Sequence, residues 1–239
     1  MIVFTYSFPH KKSQDFILLI NALGYQIEAV VASRPKKLNL PRKKYRYKPV
    51  HTGLFEISDI CNHLKIPYYE FDDHNSKDCV NLLSVMKCDL GIIAGARILK
   101  GAVIDAFSKG VVNFHPGIIP QARGLDSMLW SLYLDLPIGV TGHFIDERID
   151  AGRVIMRKYV NIQKDDTIID LSLRLYETQL EMLPETLNAI SDKSFKTEAI
   201  STTIQGITKA FHSIWKMRLW KNLSCERQNS QPYSDLVIK

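Results

Sequence analysis

An amide, an imidazole and a carboxylate can together manage an acyl transfer, and this chain offers them in order. Asn113 and His115 stand in the run Asn113-Phe114-His115-Pro116-Gly117, and Asp150 in Asp146-Glu147-Arg148-Ile149-Asp150-Ala151-Gly152. Transfer of an acyl group to an amine builds a tetrahedral oxyanion. The site therefore needs fixed hydrogen-bond donors for that oxygen and a group that takes the proton the amine loses. Asn113 and His115 are two apart, so in an extended strand both project to one side and could share an oxyanion. Asp150, placed beside a histidine, is expected to raise the imidazole pKa and to accept the ammonium proton directly or through water. Such a set requires no Ser or Cys nucleophile. Taken singly, each residue has an ordinary structural use, Asp150 as turn chemistry and His143 as a satisfied core histidine on an apolar strand. Their combination and order point to chemistry.

The elements that must position them follow from apolar periodicity. Short apolar runs over 2–6, 27–32, 68–71, 90–94 and 111–114 read as strands, with helical spacing over 12–23, 55–64, 75–86 and about 103–107 between them. Alternation of this kind predicts βαβ units and an α/β, Rossmann-like, mainly parallel sheet with both faces covered, whose ligands bind outside the carboxyl ends of the strands. The loops after 94 and after 114 should then lie along one edge. Further on, 125–134 reads as a helix, 139–144 and 153–159 as strands, and 167–190 as a long helix capped by Asp166 or Thr167. The catalytic domain is expected to span 1–192. Residues 193–239 form a small appendage, with a strand over 199–204 and an amphipathic helix over 207–220 that could pack onto the core, a base or a second subunit of a homodimer.

Composition narrows the class. A chain of 239 residues with 46% hydrophobic side chains can bury a sizeable core, and it contains no apolar run near membrane-spanning length and no secretory leader pattern, so a cytoplasmic setting is expected. Cys61, Cys79, Cys88 and Cys225 are scattered without metal-finger spacing, which fits reduced structural thiols and suggests no metal site. The net charge of +6 has a local origin: Arg34, Lys36, Lys37, Arg42, Lys43, Lys44, Arg46 and Lys48 follow one another with no acid among them. Pro35, Pro41 and Pro49 keep that stretch from being a regular helix, so it reads as an extended loop, either plainly solvated or guiding an anionic substrate.

The runs Asn113-Phe114-His115-Pro116-Gly117-Ile118-Ile119-Pro120 and Gly139 to Gly152, with Ala94-Gly95-Ala96-Arg97-Ile98-Leu99 ahead of them, resemble the 10-formyltetrahydrofolate-dependent formyltransferase family. That family includes phosphoribosylglycinamide formyltransferase, methionyl-tRNA formyltransferase and the nucleotide-sugar N-formyltransferases. The likeness covers roughly residues 1–190 and is strongest from Gly91 to Gly152. It implies that Asn113 and His115 bind the formyl oxygen and that Asp150 couples to His115 and helps deprotonate the amine. It further implies that Arg97, Ile98, Leu99, Ile145, Asp146, Glu147 and Asp150 line the pocket of the co-substrate 10-formyltetrahydrofolate.

Departures from the family pattern bear on the amine. Tyr6-Ser7-Phe8-Pro9-His10 lacks the Gly-rich phosphate loop of the glycinamide ribonucleotide enzymes, which disfavours that substrate. The tRNA enzymes share a basic, proline-bearing loop but carry a carboxy-terminal barrel longer than the stretch after Ile190, and a tRNA calls for a broader basic surface than one segment. The resemblance therefore implies a small primary amine, above all a nucleotide-linked amino sugar, with Lys43, Lys44, Arg46 and Arg123 as its candidate contacts and no nucleic-acid or membrane partner. Two other readings remain: a catalytically idle folate- or sugar-binding module, and a hydrolase that releases formate from the folate.

Overall fold

A computed structural model describes residues 1–37, 50–148, 150–192 and 195–200. The chain alternates as the periodicity predicts. Strand β1 (Ile2–Tyr6), helix α1 (Lys11–Ala22), β2 (Ala29–Ser33), α2 (Ile57–Leu64), β3 (Tyr68–Phe71), α3 (Lys77–Met86), β4 (Leu90–Ile93), α4 (Gly101–Ile104) and β5 (Gly110–His115) come first. Helix α5 (Ser127–Tyr133), strands β6 (Gly139–Phe144) and β7 (Arg153–Tyr159), helix α6 (Ile168–Ser191) and the short β8 (Glu198–Ala199) follow.

The strands form one sheet in the order β3-β2-β1-β4-β5-β6-β7-β8. Every pairing from β3 to β5 is parallel, whereas β6, β7 and β8 add in antiparallel fashion. The Rossmann-like α/β class holds, with the parallel character concentrated in the amino-terminal half. Side chains alternate across β1: Val3 joins Phe16, Ile17 and Ile20 of α1 on one face, while Ile2 and Phe4 join Cys79, Leu83 and Val103 on the other. The sheet is thus covered on both sides, as continuous apolar strands require.

Helix starts account for most boundary shifts. Thr167 caps α6 by accepting from the Asp170 backbone N–H, and the Asp170 carboxylate returns a bond to Thr167, a full capping box. Asp126 adopts φ 57 immediately before α5, so that helix begins at Ser127 instead of the expected 125. Cys61, Cys79 and Cys88 are buried free thiols. Among the described residues no helix is long and apolar enough to cross a membrane, and no group of three or more His, Cys, Asp or Glu is placed to hold a metal. The expected helix over 207–220, the expected strand beyond Ile200 and Cys225 lie outside the described residues, as do Lys43, Lys44 and Arg46.

Candidate active site

Parallel pairing of β1, β4 and β5 brings their carboxyl ends to one edge, so the Gly95–Leu99 loop and the loop after His115 are neighbours. Beyond Val112, strand β5 has outrun β4, whose register ends at Ile92. Its last three residues are held from the other side by β6, where Asn113 faces His143 and His115 faces Thr141. The loop after β6 then carries Asp150 back over them.

The three expected catalytic side chains meet. Asn113 Nδ2 lies 3.4 Å from Asp150 Oδ1, and His115 Nδ1 lies 3.4 Å from the same oxygen. The extended-strand argument that placed Asn113 and His115 on one side therefore holds. Asp150 is held firmly: the Gly124 backbone N–H donates to its Oδ2 at 2.8 Å, and its backbone sits at φ 42, the left-handed region that Asp tolerates better than most side chains. The loop 116–122 is pinned as well. The Thr141 hydroxyl donates to the Gly117 carbonyl at 2.8 Å and accepts from the Ile119 N–H at 3.1 Å, Ser127 donates to the Pro116 carbonyl, and Arg157 donates to the Ile119 carbonyl. The Ile119-Pro120 peptide is cis.

Tautomers follow from the partners. His115 Nε2 is 2.9 Å from the Ala122 carbonyl, an acceptor only, so this nitrogen carries the proton. A neutral His115 consequently presents a bare Nδ1 lone pair toward the Asp150 carboxylate: two acceptors face each other with room for one proton. His143 repeats the pattern in reverse. Its Nδ1 donates to the Ala151 carbonyl at 2.9 Å, leaving Nε2 to accept from Asn113 Nδ2 at 3.4 Å. His143 is a fully buried core histidine, as its strand position suggests, and it also orients the Asn113 amide.

One expectation is corrected. Asp150 does pull the His115 pKa upward, but burial outweighs it and the net displacement is downward. Burial also takes His143 down to about 4, with the His115 charge acting in the same direction. Both imidazoles are therefore neutral near neutral pH, and His115 keeps an open acceptor at Nδ1 facing Asp150.

The residues expected in the folate pocket have divided roles. Arg97 turns its guanidinium toward the β2 and β3 ends, donating to the carbonyls of Arg34 at 3.1 Å and Asp72 at 3.0 Å. Ile98 is 63% exposed, while Leu99 is buried against Val103 and Val111. Asn75, which the sequence reading places at the start of a helix, lies ahead of α3 and clamps this loop: it donates to the Ile98 carbonyl at 2.9 Å and accepts from the Lys100 N–H at 2.7 Å. Ile145 packs against the same apolar cluster and donates its N–H to the Val111 carbonyl. Asp146 pairs with Arg148, and exposed Glu147 reaches α4 so closely that a Cβ at Gly101 would lie 2.3 Å from its Oε1. The loops 97–101 and 145–148 therefore touch.

Arg123 immediately precedes the glycine that holds Asp150, and its buried Nε has no hydrogen-bond partner. An open hollow of about 660 Å³ lies behind the 145–148 loop, between Phe107, Phe144, Arg148 and Arg153, and none of the three converging residues lines it. Lys12, in the first turn of α1, reaches the site by donating from Nζ to the Phe114 carbonyl at 3.1 Å. Nothing in its local sequence distinguishes it from a solvated helix lysine.

A Rossmann-like sheet that turns antiparallel after β5 and gathers Asn, His and Asp at that turn is the formyltransferase fold. The formyl transferase family model matches residues 11–187, and the chain belongs to that family. Among curated relatives, it is 29% identical over 168 residues to the methionyl-tRNA formyltransferase of Chlorobium limicola, covering 70% of this chain and 51% of that one. The chain spans about half the length of the first such relatives it matches. Among solved structures, phosphoribosylglycinamide formyltransferase from Streptococcus pneumoniae TIGR4 superposes with a TM-score of 0.60 at 22% identity, over 80% of this chain and 98% of that one. The N-formyltransferase from Helicobacter canadensis, in complex with folinic acid and dTDP-3-aminofucose, has a TM-score of 0.60 at 15% identity, over 87% and 70%.

Proposed function

We propose that this protein transfers a formyl group from 10-formyltetrahydrofolate to the primary amine of a small substrate, with a nucleotide-linked amino sugar as that substrate. The observation that carries the reading is the convergence of Asn113, His115 and Asp150 on one carboxylate oxygen at the carboxyl edge of the sheet. The loop after β4, clamped by Asn75 and anchored in the apolar core by Leu99, lies on the same sheet edge as the Asn113 amide, which suits a site for the co-substrate. Bound there, 10-formyltetrahydrofolate would supply an electrophilic formyl carbon for the amine.

The residues then divide the work. Asn113 offers amide N–H donors held only by two long contacts of 3.4 Å, which a developing oxyanion can recruit. His115, with its Nε2 proton committed to Ala122, takes a proton at Nδ1 and only then becomes a second donor to that oxygen. Asp150 holds the resulting imidazolium and relays the proton. The incoming nitrogen must be neutral to attack, so a pair of facing acceptors at the edge suits its deprotonation.

Choice of amine rests on charge placement. Arg34 follows the carboxyl end of β2, on the edge that carries the site, and the other cations of the basic stretch come after it in sequence; a local excess of positive charge suits an anionic diphosphate. The fold accommodates such ligands in the Helicobacter canadensis protein. A second reading, formylation of methionyl-tRNA, is favoured by the names of the sequence relatives and draws on the same cations.

The test incubates the protein with 10-formyltetrahydrofolate and, separately, nucleotide-linked amino sugars, glycinamide ribonucleotide, charged initiator tRNA or no amine. Formylation of the amino sugar supports the reading, and formylation of the tRNA replaces its substrate. Tetrahydrofolate released without an amine indicates a hydrolase, and folate binding without turnover an idle module. Neutralising Lys43, Lys44 and Arg46 together is expected to raise the Michaelis constant for the anionic substrate in a salt-dependent way; an unchanged constant assigns that stretch to solvent.

A further inference from the structure

We propose that Lys12 is a positioning residue of this site: its ammonium, seated on the Phe114 carbonyl between Asn113 and His115, supplies the positive charge that keeps the Asp150–His115 pair in its proton-accepting form. The inference rests on the formyl-transfer reading for its functional meaning, but not for its test.

The geometry comes from the sheet. Because β4 stops pairing at Ile92, the Phe114 carbonyl has no β4 partner, and Lys12 Nζ takes that place at 3.1 Å. This seats a cation beside the Phe114–His115 peptide unit, within the segment that carries both β5 site residues. One N–H of the ammonium is spent there, and the remaining charge acts on both Asp150 and His115. Apart from Asp150, the charged groups described near Lys12 are already paired. Lys11 pairs with Asp15, and Asp15 also accepts from the Tyr176 hydroxyl of α6. The Phe16 ring lies 5.1 Å from Lys12 Nζ, and His143, beyond His115, is buried and neutral.

Burial pushes the Lys12 ammonium down to about 7, with Asp150 opposing. Its charge therefore appears as the pH falls through neutrality, and from there downward it opposes the protonation of His115. The cation lowers the His115 pKa, so it guards the acceptor when protons become abundant and is dispensable at higher pH. A merely structural lysine would tie down Phe114 equally at all pH values.

Two variants separate these roles. Lys12→Gln keeps a donor for the Phe114 carbonyl and removes the charge, whereas Lys12→Arg keeps both. In the substrate-free protein, the imidazole titration of His115, followed by NMR, is expected to move upward in Lys12→Gln and to stay near wild type in Lys12→Arg. With an accepted amine, Lys12→Gln should lose about tenfold in turnover below pH of about 7 and recover above it, with Lys12→Arg rescuing the acid limb. Equal His115 titrations in wild type and a folded Lys12→Gln overturn the inference, whatever the turnover. If Lys12→Gln does not fold, the same titration in Lys12→Met decides: removing the charge should again raise His115, and an unmoved imidazole sinks the idea. Absence of turnover with every amine defeats the formyl-transfer reading alone, since the titration needs no substrate.

Discussion

Two buried histidines lie along the same carboxyl edge of the sheet, and they have been put to opposite uses. His74, after β3, is 1% exposed, packs edge-on against Phe4 at 5.3 Å and places Nε2 3.2 Å from the Val31 carbonyl. His115 is 4% exposed, also spends Nε2 on a carbonyl, but directs Nδ1 at a carboxylate 3.4 Å away. Burial lowers both pKa values, His74 to about 4. The difference is the acid. At His74 burial outweighs the smaller effects of Arg97 and Asp73 and leaves a neutral imidazole that stiffens a core, whereas at His115 a carboxylate faces the ring nitrogen and gives a proton somewhere to go.

Substitutions at the two places should separate cleanly. The largest effect is expected at the β5 residues: Asn113→Ala and His115→Ala should each lose about 10²–10³-fold in turnover while keeping folate affinity, because an oxyanion donor or a proton acceptor acts only in the transition state. Comparable folate dissociation constants with near wild-type rates would make His115 no different from His74. A smaller loss, about tenfold, should follow Asp150→Asn, which can keep the bond from the Gly124 N–H. Because Asp150 raises the His115 pKa, the variant's acid limb should move to lower pH, opposite to the shift expected on removing the Lys12 charge. A limb that moves upward or stays in place would break the coupling drawn between these residues.

The smallest effect on activity belongs to His74, whose imprint should appear in stability instead. Its folded pKa of about 4 lies below the ordinary 6.5, so between those values the unfolded chain binds the extra proton. The stability it permits is therefore present above about 6.5 and lost as the pH falls toward 4, by up to about 3 kcal/mol at the acid end. Denaturant midpoints measured across that range should flatten in His74→Phe, with turnover within about twofold of wild type near neutral pH. A turnover loss matching that of His115→Ala would place His74 in the working site.

Much of this was legible beforehand. The short apolar run from Ile2 to Tyr6 and the two-residue spacing of Asn113 and His115 are local facts, and local geometry decides both which face of a strand a side chain takes and where a βα loop emerges. Asp150 could be paired with them only because its motif resembles a family pattern, for the 34 positions between His115 and Asp150 are bridged by β6 and a left-handed backbone that spacing does not reveal. The sign of the His115 displacement was misjudged for the same reason: the carboxylate is visible in sequence, the depth of burial is not.

What the chain determines by itself, then, is the inventory: an alternating α/β architecture, an amide, an imidazole and a carboxylate in family order, and a single basic stretch. What only the tertiary structure decides is how those groups are charged and aimed. Strand β5 outruns β4, Lys12 from a helix a hundred positions earlier fills the vacated hydrogen bond, and Ala122 takes one imidazole proton while Gly124 holds the carboxylate. Protonation depends on desolvation and on charges a few ångströms away, and both are properties of packing between segments that are distant along the chain.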